Sequence, residues 1–124
     1  MRKLIMVMAL VVVTVPLLVG AAFAYEQVIQ CTSKPCYGTR NNELIHERIG
    51  RGVPDKIITK AGSDTIRANT YGNDKDVVWS GKGRDKINVR DGDPKDRIRG
   101  GKGAHDWCIV DANSELSGAC ERVN

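Results

Sequence analysis

Short apolar stretches alternate with polar residues through the second half of the chain, and each stretch follows an aspartate. Six triplets share the order aspartate, any residue, apolar residue: Asp55-Lys56-Ile57, Asp64-Thr65-Ile66, Asp76-Val77-Val78, Asp85-Lys86-Ile87, Asp96-Arg97-Ile98 and Asp106-Trp107-Cys108. Successive aspartates are 9, 12, 9, 11 and 10 residues apart, and every second triplet recurs after 20 or 21 residues. This spacing predicts a repeat of about 21 residues that consists of two half-turns.

The apolar positions within each half-turn follow a period of two. Three half-turns have apolar residues two and four places after the aspartate: Ile66 and Ala68, Ile87 and Val89, Cys108 and Val110. The other three have a small residue at the second place: Thr59, Ser80 and Gly100, after Ile57, Val78 and Ile98. Alternation over so few residues predicts very short strands, which are stable only when coils stack them as parallel ladders. We therefore predict an all-β fold, a short parallel β-roll or β-solenoid of about three coils.

Glycine distinguishes the two series of half-turns. The Gly-bearing series contains Asp64, Asp85 and Asp106, and these glycines stand shortly before its aspartates: Gly62, Gly81, Gly83, Gly100, Gly101 and Gly103. The Gly-poor series contains Asp55, Asp76 and Asp96, with no glycine in the two places before each aspartate. The two series predict two different edges of the solenoid, here called the Gly-bearing edge and the Gly-poor edge.

The N-terminus has the features of a secretory signal peptide. Met1-Arg2-Lys3 is basic, Leu4 to Val19 is largely apolar, and Ala22-Phe23-Ala24 is a small-x-small cleavage signature. We predict that residues 1–24 are removed and that the protein is secreted, extracellular or associated with the cell envelope; a retained membrane anchor is the alternative. The rest divides into an N-terminal cap with a degenerate first half-turn (25–51), the β-roll repeats (52–111) and a C-terminal disulfide cap (112–124).

All four cysteines lie after the signal segment, which predicts two disulfides in an oxidising compartment. Of the three pairings, the spacings favour Cys31 with Cys36 and Cys108 with Cys120, because each pair closes a short loop at one end of the repeats. Zinc ligation is the competing interpretation, and the wide separation of the two pairs argues against it.

The net charge is small. It is +4 for the whole chain, and it falls to +2 when Arg2 and Lys3 leave with the signal segment. Acids and bases are interleaved along the chain, unlike the residues of a nucleic-acid-binding surface. We therefore expect no nucleic-acid partner, no membrane association after cleavage, and a monomer.

Stacking would bring equivalent aspartates of successive coils to about 4.8 Å, the spacing of neighbouring strands. Carboxylates repel one another at that distance, so the ladder requires either a cation or other partners. Ca²⁺ suits it, because this ion binds six to eight oxygens from carboxylates and carbonyls. In the alternative, each aspartate accepts turn N–H groups as an Asx-type brace or is neutralised by a nearby lysine or arginine.

Ser80 to Asn88 resembles the G-G-x-G-x-D-x-U-x nonapeptide of the RTX, or haemolysin-type, calcium-binding proteins. Gly100-Gly101-Lys102-Gly103 is similar to the start of a second copy, and Ala61 to Arg67 to a shorter one. Residues 31–39 and 108–123 also resemble the cysteine-containing segments that frame the repeats in small secreted bacterial members. The resemblance implies a β-roll with Ca²⁺ bound by Asp64, Asp85 and Asp106 and by carbonyls of Gly62, Gly81, Gly83, Gly101 and Gly103.

The Gly-poor edge departs from the family pattern. Val53, Asp74 and Pro94 occupy places where the pattern has glycine, and many lysines stand in the turns. Asp55, Asp76 and Asp96 are therefore the weaker metal candidates. We predict that calcium prefers the Gly-bearing edge and that its binding is coupled to folding, because the ligands meet only in the stacked coil.

Catalysis is not expected, because His46 and His105 stand near opposite ends of the repeats and no nucleophile motif is present. A small secreted nuclease that uses these two histidines is a remote alternative. The main alternative is a metal-free adhesion or cell-surface module that binds a glycan, an anionic polymer or a protein. Trp79, Trp107 and Arg99 are the candidates for its binding surface, since the alternation predicts that they face outward.

Overall fold

The computed structural model describes residues 27–102, 105–118 and 120–123. The predicted signal segment, residues 1–24, and the predicted ligand Gly103 lie outside the described residues. Within the described ranges, no helix is long and apolar enough to cross a membrane.

Eleven short strands in the described part of the chain form two sheets in which every strand pair is parallel. The six-stranded sheet contains β1 (Gln27–Gln30), β3 (Glu43–His46), β5 (Thr65–Arg67), β7 (Lys86–Asn88), β9 (Asp106–Ile109) and β11 (Cys120–Val123). The five-stranded sheet contains β2 (Cys36–Tyr37), β4 (Lys56–Ile58), β6 (Val77–Trp79), β8 (Arg97–Gly100) and β10 (Leu116–Gly118). A short 3-10 helix, Asn113–Glu115, precedes β10.

The chain passes from one sheet to the other after each strand, which confirms the predicted all-β parallel solenoid. It has about four coils instead of the predicted three. The difference arises at the ends, because β1, β2 and β3 lie in the segment predicted as an N-terminal cap and β10 and β11 in the predicted C-terminal cap. These segments join the same two sheets, so the caps are themselves coils.

The core is a stack of aligned apolar side chains, one from each of the strands β2 to β10. The row of the six-stranded sheet contains Ile45, Ile66, Ile87 and Cys108. The row of the five-stranded sheet contains Cys36, Ile57, Val78, Ile98 and Leu116. The isoleucines of both rows are fully buried. The apolar residue two places after each aspartate therefore points inward as predicted, and each buried isoleucine stabilises the fold by about 1.5–3 kcal/mol.

Two disulfides close the ends of the solenoid. Cys31 is bonded to Cys36 and Cys108 to Cys120, with Cα–Cα distances of 5.5 and 5.7 Å. The pairing favoured by the sequence spacing is confirmed, and the zinc alternative is wrong because all four thiols are used. Both bonds close short loops, and they indicate a non-reducing environment such as the cell exterior.

The glycines of the Gly-bearing edge are explained by backbone contact between coils. Gly62 and Gly83 have φ angles of +117° and +137°, which side chains rarely allow. A Cβ atom on Gly83 would lie 1.7 Å from the carbonyl oxygen of Gly62, and one on Gly101 would lie 1.5 Å from that of Gly81. Only glycine lets successive turns approach this closely, whether or not an ion binds there.

We expect Gly83→Ala to lower the free energy of unfolding by more than about 2 kcal/mol, because the new methyl group would overlap backbone of the preceding coil. Gly92→Ala is the matched control, since Gly92 also has a positive φ, +101°, but no atom lies within 4 Å of its added Cβ. In the control, the free energy of unfolding should fall by only about 1 kcal/mol, the cost of placing alanine at a positive φ. Urea unfolding of both variants measures the difference; equal losses would contradict the contact explanation.

Candidate functional site

The six aspartates of the repeat lie inside the solenoid. Each is exposed by 2 % or less: Asp55, Asp64, Asp76, Asp85, Asp96 and Asp106. Each immediately precedes a strand or begins one, and the period of two places it on the same side as the core residue two places later. The two series therefore form two columns of buried carboxyl groups, one at the start of each sheet.

One carboxylate oxygen of five of these aspartates bridges two coils, whereas the Asp55 carboxylate accepts the backbone N–H and the guanidinium of Arg48. Asp85 Oδ1 accepts the backbone N–H of Asp64 at 2.9 Å, and Asp106 Oδ1 accepts that of Asp85 at 3.0 Å. The Gly-poor column repeats the arrangement, with Asp76 Oδ1 at 2.7 Å from Asp55 N. The first column begins at Glu43, whose N–H donates to Asp64 Oδ1 at 3.1 Å. The bracing role considered as an alternative to metal binding is therefore present, but its donor belongs to the neighbouring coil.

The second oxygen of these carboxyl groups is buried without a hydrogen-bond partner in the described part of the chain. This holds for Oδ2 of Asp64, Asp76, Asp85, Asp96 and Asp106. Burial, with a smaller contribution from neighbouring carboxylates, raises the pKa of Asp64 to about 6, that of Asp76 to about 8 and that of Asp96 to about 7. Ionising these groups in the folded protein is therefore unfavourable, and a proton or a cation relieves the cost.

The aspartates predicted as calcium ligands on the Gly-bearing edge form no group of three acidic side chains among the described residues. Asp64, Asp85 and Asp106 belong to neither of the two groups of three acidic side chains that could hold a metal ion. The carbonyl oxygens of Gly62 and Gly81 face the backbone of the following coil. Gly103 lies outside the described residues, so its carbonyl adds nothing to this comparison.

Acidic side chains meet instead at the turns that lead from the six-stranded to the five-stranded sheet. The first group contains Glu47, Asp74 and Asp76, and the second contains Asp74, Asp91 and Asp93. In each group, one ligand oxygen from every residue lies within 4.8 Å of the others. These five residues are called the acidic corner below. It lies on the Gly-poor edge, which the sequence had marked as the weaker side.

Asp74 connects the two groups and is the least compensated residue of the corner. It is 6 % exposed, and both of its carboxylate oxygens are buried without a hydrogen-bond partner in the described residues. Burial, together with the neighbouring carboxylates of Asp91, Glu47 and Asp93, raises the pKa of Asp74 to about 6. A carboxylate in this position lacks the donors that normally accompany a buried charge.

The other acidic residues hold the turns in place while keeping some oxygens free. Glu47 Oε1 accepts the N–H groups of two residues of the next turn, Thr70 and Tyr71. Asp91 Oδ1 accepts Asp93 N–H at 3.0 Å, whereas its Oδ2 is buried and unpartnered among the described residues. Asp93 accepts Lys95 N–H at 3.1 Å, and the Lys95 ammonium is 3.7 Å from its other oxygen. The backbone thus fixes the spacing of the carboxylates.

The corner can offer a hard cation several oxygens at once. A shallow concavity reaches Asp91 and Asp93 from solvent, and Arg51, Thr70 and Asn73 also line it. A set made of carboxylates, without imidazole or thiolate, suits Ca²⁺ better than a transition metal. Two Asp-x-Asp pairs in the sequence, Asp74-Lys75-Asp76 and Asp91-Gly92-Asp93, could have indicated the corner. The sequence does not show that the two pairs lie close together, because their distance depends on how the turns stack.

The three surface candidates face outward as predicted. Trp79 is 38 % and Trp107 is 42 % exposed, and Arg99 is also exposed. Trp79 and Arg99 lie on the five-stranded sheet, with the Arg99 guanidinium 5.7 Å and the Lys56 ammonium 4.5 Å from the Trp79 ring. Trp107 lies on the six-stranded sheet. The candidates are therefore divided between two sheet faces.

The two histidines are not brought together. His46 ends β3, whereas His105 directly precedes β9. Three strand spacings separate β3 from β9 in the six-stranded sheet, which corresponds to about 14 Å. A paired acid and base cannot act on one atom at that separation.

Comparison with protein-family models, with curated proteins and with solved structures finds no match to this chain. Membership of the RTX family therefore remains a prediction from the nonapeptide pattern.

The buried aspartates predict that the protein becomes less stable as the pH rises. The pKa of Asp64 is 3.8 in an unfolded chain and about 6 in the folded protein, so its contribution to stability is complete below pH 3.8 and is lost as the pH rises through 6. In EDTA, we expect the free energy of unfolding to fall by about 2 kcal/mol or more between pH 4 and pH 8.

Asp64→Asn keeps an oxygen that can accept the Glu43 N–H but cannot ionise, so this variant should show a smaller decrease over the same range. Chemical unfolding at several pH values measures both curves. A wild-type stability that rises from pH 4 to pH 8 would show that these carboxyl groups are better solvated than their burial indicates.

Proposed function

We propose that this protein is a secreted calcium-binding β-solenoid whose principal cation site is the acidic corner. The observation that carries the proposal is Asp74, a buried carboxylate with two unpartnered oxygens between two groups of acidic side chains. Secretion is supported by the predicted signal segment and by the two disulfides.

A bound cation would remove the main electrostatic conflict of the corner. Five carboxyl groups converge there, and a lysine, Lys95, contacts one of them at the surface. Protonation is the other way to lower the repulsion. The pKa of Asp76, about 8, permits it at neutral pH, whereas the pKa of Asp74, about 6, permits it only in acidic solution. At neutral pH a divalent cation can neutralise several carboxylates together.

Calcium fits the corner better than magnesium or zinc. The carboxylates come from three successive turns, and such a site accommodates the long and variable distances that Ca²⁺ accepts. Magnesium requires a stricter octahedral arrangement, and zinc prefers nitrogen and sulfur ligands. Sites of extracellular modules bind Ca²⁺ with dissociation constants of about 10⁻⁴–10⁻³ M, and we expect an affinity in this range.

The proposed position differs from the one that the RTX resemblance implies. The glycines of the Gly-bearing edge have a sufficient structural reason in the contact of successive turns. The carboxylates of that edge each bridge to the preceding coil, and they form no group of three in the described residues. The site therefore moves to the opposite edge, while the link between calcium and coil stacking is retained.

Binding should stabilise the stacked coils, because Glu47, Asp74 and Asp91 come from different turns and meet only in the folded protein. At a calcium concentration ten times the dissociation constant, the expected gain in the free energy of unfolding is about 1.4 kcal/mol.

Calorimetric titration of the oxidised domain with Ca²⁺ at pH 7.5 tests the proposal, together with thermal unfolding with and without the ion. Asp74→Asn should abolish both the heat and the stabilisation, since it removes the charge shared by the two groups. Asp85→Asn is the matched control, because it changes a buried aspartate of the other edge and keeps an acceptor for the Asp64 N–H.

Three results would count against the acidic corner. No heat and no stabilisation at 10 mM Ca²⁺ would exclude calcium binding. Loss of binding in Asp85→Asn but not in Asp74→Asn would return the site to the Gly-bearing edge. Equal loss in both variants, with both still folded by circular dichroism, would indicate a diffuse electrostatic effect.

A further inference from the structure

A second candidate binding site lies on the outer face of the six-stranded sheet. A concavity there is lined by His46, Thr65, Ile66, Arg67, Asn69, Thr70, Lys86, Asn88 and Ile109. None of the residues that line it is acidic, whereas two are cationic and one is a histidine. The parallel register places His46, Arg67 and Asn88 side by side in one row across β3, β5 and β7.

The charged groups of this concavity have no counterion within the described residues. Arg67 is exposed, and its guanidinium makes no hydrogen bond or ion pair in the described part of the chain. The Lys86 ammonium lies over the Trp107 ring, 5.7 Å from its centre, which holds the cation in place without neutralising it. Neighbouring strands are about 4.8 Å apart, so Arg67 and Lys86 extend from adjacent strands over one surface.

The neutral residues of the concavity add donors and acceptors around the two cations. The side chains of Thr65, Asn69 and Thr70 offer hydroxyl and amide groups, and Ile109 adds an apolar contact. This combination is suited to a ring that carries hydroxyl groups and one acidic substituent. Charge-assisted contacts from Arg67 and Lys86 would bind the acid, and the polar side chains would bind the hydroxyl groups.

We infer that this concavity, here called the basic groove, binds an acidic oligosaccharide whose sugar residues carry a carboxylate or a sulfate. The groove has two cationic side chains, which suit the isolated acidic groups of a glycan. A continuous phosphodiester backbone is recognised through larger basic surfaces. The groove adjoins the acidic corner, because Thr70 lines the groove and donates its N–H to Glu47, but none of the five acidic residues lines it, and the inference does not require bound calcium.

Tryptophan fluorescence can report binding directly at the groove. The chain contains two tryptophans, so Trp79→Phe leaves Trp107, next to Lys86, as the reporter. In this background, the folded oxidised protein is titrated in 150 mM NaCl with oligogalacturonate, a heparin oligosaccharide, inorganic phosphate, a neutral malto-oligosaccharide and single-stranded oligothymidylate. EDTA is present throughout, so that the result does not depend on calcium.

We expect one of the two acidic oligosaccharides to bind with a dissociation constant below about 1 mM. Preference for the uronate or for the heparin fragment identifies carboxylate or sulfate as the acidic group. The neutral sugar should not bind. Arg67→Gln should weaken binding by roughly tenfold or more, and Lys86→Gln should weaken it by several fold, because each removes one charge-assisted contact.

The matched control is Arg99→Gln, an exposed arginine of the five-stranded sheet, which should leave the affinity unchanged. If Arg99→Gln weakened oligosaccharide binding as much as Arg67→Gln, the attraction would be non-specific, and the assignment of the binding site to the groove would be wrong. Absence of binding by both acidic oligosaccharides, tighter binding of oligothymidylate, or binding of phosphate alone would each overturn the glycan assignment. The substituted residues are exposed, and circular dichroism of each variant confirms that a loss is not caused by unfolding.

Discussion

The structure depends on one hydrogen bond that recurs at every coil, in which a buried aspartate accepts the backbone N–H of its counterpart in the preceding coil. The bond requires a short acidic side chain at the start of each strand and a fixed step between coils. It also leaves the second carboxylate oxygen buried and unpartnered in the described residues. The contact that joins the coils therefore also leaves carboxylate oxygens without a compensating donor, which disfavours their ionised form.

Acidic and basic side chains occupy different regions of the solenoid. Acidic residues occupy the two buried columns and the acidic corner, whereas Arg67 and Lys86 stand on an outer sheet face. A side chain in such short strands points either inward or outward, so the alternation along each strand also separates the charges. The molecule therefore has two surfaces of opposite charge, the acidic corner, whose chemistry suits a cation, and the basic groove, whose chemistry suits an acidic ligand.

The glycines show how one pattern can have two explanations. Glycine before an aspartate is expected in a calcium-binding turn, and it is equally required where backbones of successive turns touch, as at Gly83 and Gly62. The sequence pattern is the same in both cases, because both need a residue without a Cβ atom. In the described residues, the geometry supports the contact explanation, and the groups of acidic side chains lie on the other edge.

The sequence by itself determined the repeat and the inward-facing rows, and it favoured the disulfide pairing that the structure confirms. These features follow from local rules, since the period of two fixes which side chains point inward and the step of 20 or 21 residues fixes which strands stack. Only the tertiary structure decided which acidic residues meet. Asp74 is 27 residues from Glu47 and 17 from Asp91. Their approach depends on the paths of three irregular turns, and no periodicity of the sequence specifies those paths.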